Sequence, residues 1–170
     1  MPGTWLNVCP GLRIPCDGQI SSWNFYSILD DGSEIYLSVW RRSTRAGATD
    51  RDFQLVGYNL ANATRIGQEI VQIPKEERIT VRQGDFLGIF YEQADLYGVI
   101  PFVSSRTPGN FAQSDFQDCV DTEIYRTDIL RQVASRGDVN VNGPAVSRLY
   151  GLQAEIIRKC QSRHHQLSGS

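Results

Sequence analysis

Histidine is almost absent: the chain carries only His164 and His165, both within its last ten residues. A polar terminal stretch offers no rigid position for an imidazole, so neither a nucleophile–histidine arrangement nor a histidine-based metal site can be built on the body of the chain. No C-x-x-C pair occurs among the four cysteines, Cys9, Cys16, Cys119 and Cys160, which removes the spacing that zinc ribbons and thiol redox motifs use. The phosphate-cradling pattern G-x-x-x-x-G-K-[ST] is missing, and nucleotide binding has no support. No apolar run approaches the ~20 residues of a membrane-spanning helix, so no membrane insertion is expected. Charge is balanced, with Lys+Arg at 17, Asp+Glu at 19 and a formal net charge of -2. That excludes a sequence-wide field drawing the protein to nucleic acid or anionic lipid. Internal repeats are lacking, which argues against solenoids and propellers.

What is present is ordinary globular material. Hydrophobic residues make up 41% and charged residues 21% of 170 positions, enough to bury one core. Residues 1–160 read as a single domain and residues 161–170 as a polar tail or linker.

Ile35, Leu37 and Val39 alternate with Tyr36, Ser38 and Trp40, a period of two that defines a strand with one core-facing side. Upstream, Asp30-Asp31-Gly32-Ser33 separates this strand from the aromatic run Trp23-Asn24-Phe25-Tyr26, and an Asp-Gly pair between such segments predicts a hairpin. Further short strands are expected at 53–58, 69–73, 78–82, 85–91, 98–103 and 149–157, separated by Gly, Pro and Asn turns. Tyr125, Ile129, Leu130 and Val133 fit a helical stripe as well as two short strands. Regular strand–turn spacing without amphipathic helices predicts an all-β fold, an antiparallel β-sandwich of jelly-roll type.

An even number of cysteines without metal spacing points to two disulfides and an oxidising, extracellular location, secreted or cell-surface. The opening Met-Pro-Gly-Thr-Trp has no charged and apolar signal regions, which suggests a module cut from a longer, multidomain protein. In a jelly roll the first and last strands commonly neighbour each other. Antiparallel pairing of residues 12–14 with 152–157 sets Cys9 beside Cys160 and leaves Cys16 for Cys119, one of the three connectivities that four cysteines allow. Each bridge would stabilise by roughly 4 kcal/mol in the chain-entropy account.

Three features carry binding chemistry. Arg136-Gly137-Asp138 lies in residues 135–144, rich in Gly, Asn and Asp, and expected as an exposed loop. The tripeptide resembles the integrin-binding motif, in which a projecting carboxylate completes a partner's metal site while the arginine reaches an acidic pocket. Trp40, pointing away from the Ile35-Leu37-Val39 side and followed by Arg41, is the ring expected to be exposed, and with Arg41 it forms a candidate carbohydrate site. Asn62-Ala63-Thr64 is a glycosylation sequon. Asp30, Asp31 and Glu34 offer oxygen ligands to a hard cation, yet a plain turn accounts for them, and no metal or other cofactor is expected. Carboxylates are plentiful, but no acid, base or nucleophile constellation can be named, so the chain is not expected to be an enzyme.

Cys16-Asp17-Gly18-Gln19-Ile20, Trp23-Asn24-Phe25-Tyr26, Leu37-Ser38-Val39-Trp40-Arg41, Leu55-Val56-Gly57, Gly84-Asp85-Phe86-Leu87-Gly88 and Leu152-Gln153-Ala154-Glu155-Ile156 together resemble extracellular β-sandwich modules of invertebrate multidomain adhesion and matrix proteins. The resemblance spans most of residues 9–160 and implies an interaction module, with no site residues to transfer. The expected function is extracellular adhesion, through Arg136-Gly137-Asp138 to a cell-surface protein or, alternatively, as a lectin-like binder of a glycan.

Overall fold

The computed structural model describes residues 3–7, 13–49, 52–91, 102–104, 123–127, 138–140, 146–150 and 152–158. Cys9, Cys119, Cys160, Arg136, Gly137 and the tail 161–170 lie outside the described residues.

The fold is all-β, with antiparallel strands in two sheets. The strands are β1 (Gly3–Asn7), β2 (Gly18–Ser27), β3 (Glu34–Arg42), β4 (Asp52–Asn62), β5 (Gly67–Gln72), β6 (Thr80–Val81), β7 (Phe86–Tyr91), β8 (Phe102–Ser104), β9 (Glu123–Thr127), β10 (Asp138–Asn140), β11 (Val146–Tyr150) and β12 (Leu152–Arg158). The larger sheet runs β10-β4-β3-β7-β1-β9-β11-β8, and the smaller runs β12-β2-β5 with β6 also paired to β2. Residues 123–127 are extended, so Tyr125 belongs to a strand.

Between the sheets lies the main core. The larger sheet contributes Ile35, Leu37, Val39, Ala61, Leu87 and Ile89, and the smaller contributes Ile20, Trp23, Phe25, Val81 and Leu152. Full burial of each large side chain supplies about 1.5–3 kcal/mol. A polar link crosses this core: buried Trp23 donates its indole N–H to Asn59 Oδ1 at 2.9 Å, and Asn59 Nδ2 donates to the Glu77 carbonyl at 3.0 Å. Each polar group taken from water thereby keeps a partner.

The expected hairpin between residues 23–26 and 35–40 does not form. β2 pairs with β5, β6 and β12, while β3 pairs with β4 and β7 in the other sheet. Both strands present an apolar row, and the two rows face each other across the core, so the connection 28–33 bridges sheets. Asp31-Gly32-Ser33 does form a turn, with Gly32 at φ 78°, but it docks on the end of β4 through Gly32 N–H to the Ala63 carbonyl at 2.8 Å and Ala63 N–H to the Ser33 carbonyl at 2.9 Å.

Two other expectations change. The run 149–157 divides into β11, paired with β8 and β9, and β12, paired with β2 in the opposite sheet. The partner of β12 is Gly18–Phe25; Ile14 instead bonds to Gly84 and Asp85. Among the described residues, the supposed pairing of 12–14 with 152–157, from which Cys9–Cys160 was expected, is therefore not formed.

A bulge in β2 places Ile20 and Trp23 on the same side: the register to β12 shifts between Glu155 and Ile156, the two-against-one count that defines a bulge. Just below it, β12 crosses so near Gly18 that a Cβ there would meet the Ile157 carbonyl oxygen at 2.5 Å and Ile156 Cγ2 at 2.6 Å. Backbone cannot yield to that contact as a side-chain end would. Gly18→Ala is expected to cost about 2 kcal/mol in a denaturant-unfolding measurement, within the range for inserting a methyl into packed structure.

Candidate functional site

The face of the larger sheet opposite the main core carries a second, aromatic cluster. Leu6, Trp40, Phe53, Phe86 and Phe90 are buried there with Tyr36 and Leu55 packed against them. Phe53 and Phe86 meet edge to face at 5.5 Å, as do Tyr36 and Phe90. The guanidinium of Arg13 sits 5.2 Å from the Phe86 ring centre, and that of Arg42 lies 5.4 and 5.6 Å from Phe53 and Phe86, contacts a cation makes favourably with a ring face.

This overturns the expected exposure of Trp40. Strand parity does turn its ring away from Ile35, Leu37 and Val39, but that second face is itself packed, and Trp40 is 0% exposed. Its indole N–H donates to Ser38 Oγ at 2.9 Å. The Trp40 ring therefore offers no open face for a sugar to stack on.

Arg41 is equally committed, and on the other side of the strand. Its Nε and Nη2 donate to Asp85 Oδ1 and Oδ2, both at 2.7 Å, the fork geometry that makes arginine–carboxylate pairs strong. That hydrogen bonding raises the Arg41 pKa further above its ordinary value. Asp85 is nearly inaccessible at 1% exposure and also accepts from Arg82 N–H at 2.8 Å. The pair fixes the turn around Gly84, whose φ of 90° suits glycine, and the turn anchors the incoming chain: Gly84 N–H donates to the Ile14 carbonyl, Ile14 N–H to the Asp85 carbonyl, and Gln83 N–H to Asp17 Oδ1. Arg41 is structural here.

The remaining sequence candidates are placed as follows. Asp138 opens β10 opposite Gln54 of β4, at one end of the larger sheet; residues 138–140 are thus an edge strand within the segment expected as loop. Asn62 is exposed at the end of β4, its Nδ2 donating to the Gly32 carbonyl at 3.0 Å, and Thr64 Oγ1 donates to buried Glu69 at 2.8 Å. Asp31 Oδ1 accepts from the Ser33 hydroxyl and from Ser33 N–H; the hydroxyl bond first, then the amide bond, lowers the Asp31 pKa. Asp30 and Glu34 are exposed. Among the described residues no group of three or more His, Cys, Asp or Glu side chains is placed to hold a metal. Among them, too, no helix is long and apolar enough to cross a membrane.

The outer face of the smaller sheet has a different chemistry. Alternation along β2, β5 and β12 turns Glu69, Val71, Ala154 and Ile156 inward, and Tyr26, Gln68, Ile70, Gln72, Gln153 and Ile157 outward. Tyr26 stands opposite Gln68, and Asn24 lies between Ile70 and Gln153. Gln68 Nε2 donates to Asn24 Oδ1 at 3.0 Å, on the same side of the sheet as the Tyr26 ring. Tyr26 is 48% exposed, Ile70 55% and Ile157 49%. The carboxylate on this face, Glu155, accepts from Ser22 Oγ at 2.8 Å. This surface is not evident from the sequence: Tyr26 falls within the aromatic run 23–26, and Gln68, Gln72 and Gln153 share its face only through the pairing of β5 and β12 with β2.

No known protein family matches the chain, and neither a curated protein nor a solved structure does.

Replacing Asp85 by Asn removes the charge that Arg41, Arg82 and the Gly84 turn are built around. A loss of about 2 kcal/mol is expected by chemical denaturation, less than for a fully buried pair because Arg41 is partly solvated. Arg41→Lys, which keeps charge but not the fork, is expected to lose part of it.

Proposed function

We propose that the chain is an extracellular interaction module, a jelly-roll-like sandwich held by two disulfides, which binds a neutral carbohydrate chain across the outer face of its smaller sheet. The observation that carries this reading is the half-exposed Tyr26 ring beside the Asn24–Gln68 amide pair, on a face whose exposed side chains are glutamines and isoleucines with one carboxylate, Glu155. An aromatic ring stacks on the C–H face of a sugar, and an amide offers donor and acceptor together to neighbouring hydroxyls. Near-absence of charge suits an uncharged, hydroxyl-rich ligand and disfavours phosphate or sulfate polymers. In this reading the carbohydrate site belongs to β2 and β5 rather than to Trp40 and Arg41, and Asn62 is an exposed acceptor for glycosylation.

The test is binding to a panel of neutral oligosaccharides with the wild-type protein and Tyr26→Ala. Binding that weakens about tenfold in the variant, with its unfolding midpoint retained, is expected from loss of one stacking ring. Absence of binding to every neutral glycan, or equal binding by the variant, would refute the reading.

A second contact, to an integrin-type receptor, is favoured by the position of Asp138 at the start of an edge strand, where the neighbouring Arg136 and Gly137 precede it in sequence. Asp138→Glu lengthens the carboxylate arm by one methylene and is expected to abolish cell adhesion; unchanged adhesion would dismiss the motif.

A further inference from the structure

One edge of the smaller sheet is β5, which among the described residues pairs only with β2. Just past its end, Ile73 N–H donates to the Ser21 carbonyl at 2.8 Å. Backbone groups along an antiparallel strand point alternately to one side and the other. Glu69 and Val71 therefore direct theirs to β2, and Gln68, Ile70 and Gln72 direct theirs away from the sheet. Among the described residues no backbone group bonds to those three from the outer side. The turn Lys75–Glu77 that follows folds toward the larger sheet, where the Glu77 carbonyl accepts from Asn59 Nδ2 of β4.

Exposed strand edges are ordinarily guarded against pairing by outward charge, proline or a bulge. The opposite edge strand, β12, carries exposed Glu155 and ends on Arg158. In β5 the one charged residue is Glu69, which is turned inward, buried, and engaged by the Thr64 hydroxyl and by Thr64 and Arg65 N–H. What faces outward is Gln68, Ile70 and Gln72, all exposed and uncharged.

This edge is complementary to itself in one register. With Ile70 set antiparallel to Ile70 of a second copy, Gln68 of each copy falls opposite Gln72 of the other, and all three outward residues have their backbone groups aimed at a partner. The two isoleucines meet on the outer face, where each is 55% exposed in the single chain, and amide meets amide on either side of them. On the inner face Glu69 falls opposite Val71. Moving the axis to Glu69 would oppose two carboxylates, which destabilises a strand pair. Moving it to Val71 would set Gln68 opposite Pro74, which has no N–H to give.

We propose that β5 pairs with β5 of a second copy of this chain about a twofold axis at Ile70, joining the two smaller sheets edge to edge. A contact of one patch with itself closes after two copies, so the product is a dimer and not a fibre. So short an edge gives a reversible dimer, with a dissociation constant of about 1–100 μM. The pairing stands without any ligand. Where the carbohydrate reading holds as well, the dimer sets two Tyr26 faces on one continuous surface.

Sedimentation equilibrium of the full chain is expected to show a mass that rises with concentration from 19.1 kDa toward twice that value. Ile70→Lys and Ile70→Glu each place like charges across the axis on an exposed position, and each is expected to stay monomeric with its unfolding midpoint retained. An equimolar mixture of the two variants is expected to regain the dimer, because lysine then faces glutamate, an outcome specific to residue 70 facing residue 70. Amide exchange of the unmodified protein reads the same contact without a variant: the N–H groups of Gln68, Ile70 and Gln72 are expected to slow by about tenfold or more from dilute to concentrated solution. A wild-type chain that stays at 19.1 kDa up to about 1 mM would overturn the proposal. So would a dimer that survives both charged variants, a mixture no more associated than its components, or exchange at these three amides that ignores concentration.

Discussion

The structure depends on β2 being the central strand of the smaller sheet, with two sides of unlike chemistry. One side inserts Ile20, Trp23 and Phe25 into the core; the other sets Asn24 and Tyr26 in solvent contact beside Gln68 and Ile70. The bulge near Ser21 and Ser22 reconciles these roles, because it lets Ile20 and Trp23 share a side that strict alternation would deny them. Ser21 and Ser22 stabilise the irregular point by donating to the Glu155 carbonyl and carboxylate. The proposed binding face follows from this strand and its register.

The larger sheet is built on another principle, packing on both faces. Its strands β3 and β7 carry one apolar row toward the main core and a second toward the aromatic cluster, to which β1 adds Leu6. Gly88 shows how tight the second packing is: a Cβ there would lie 2.7 Å from Leu6 Cδ2 and 3.0 Å from the Trp40 indole nitrogen. Such a sheet has little free surface near its centre. The smaller sheet packs one face on the core and leaves Tyr26, Ile70 and Ile157 exposed on the other, the face the proposed ligand would occupy.

The strand content was legible in the alternation of Ile35 to Trp40 and in short turn-bounded segments such as 69–73, and the all-β class followed. Sheet membership was not, because Asp31-Gly32 marks a turn without stating whether the flanking strands pair or face each other across a core. Trp40 shows a related limit: parity gives the side of the strand, while whether that side is wet depends on Phe53, Phe86 and Phe90, distant in sequence. Arg41 beside Trp40 looked like part of one site, yet adjacent strand residues point to opposite faces, and Arg41 meets Asp85 instead. Tyr26 was visible as an aromatic residue, but its value as a surface ring required knowing that β5 and β12 flank β2 with outward amides.

The placement of β2 is tested most directly by cross-strand nuclear Overhauser contacts in the labelled protein. Backbone contacts linking Tyr26 to Gln68 and Asn24 to both Ile70 and Gln153 are predicted. Backbone contacts from Trp23–Tyr26 to residues of β3, the pattern of a hairpin, would contradict the account and take the binding face with it.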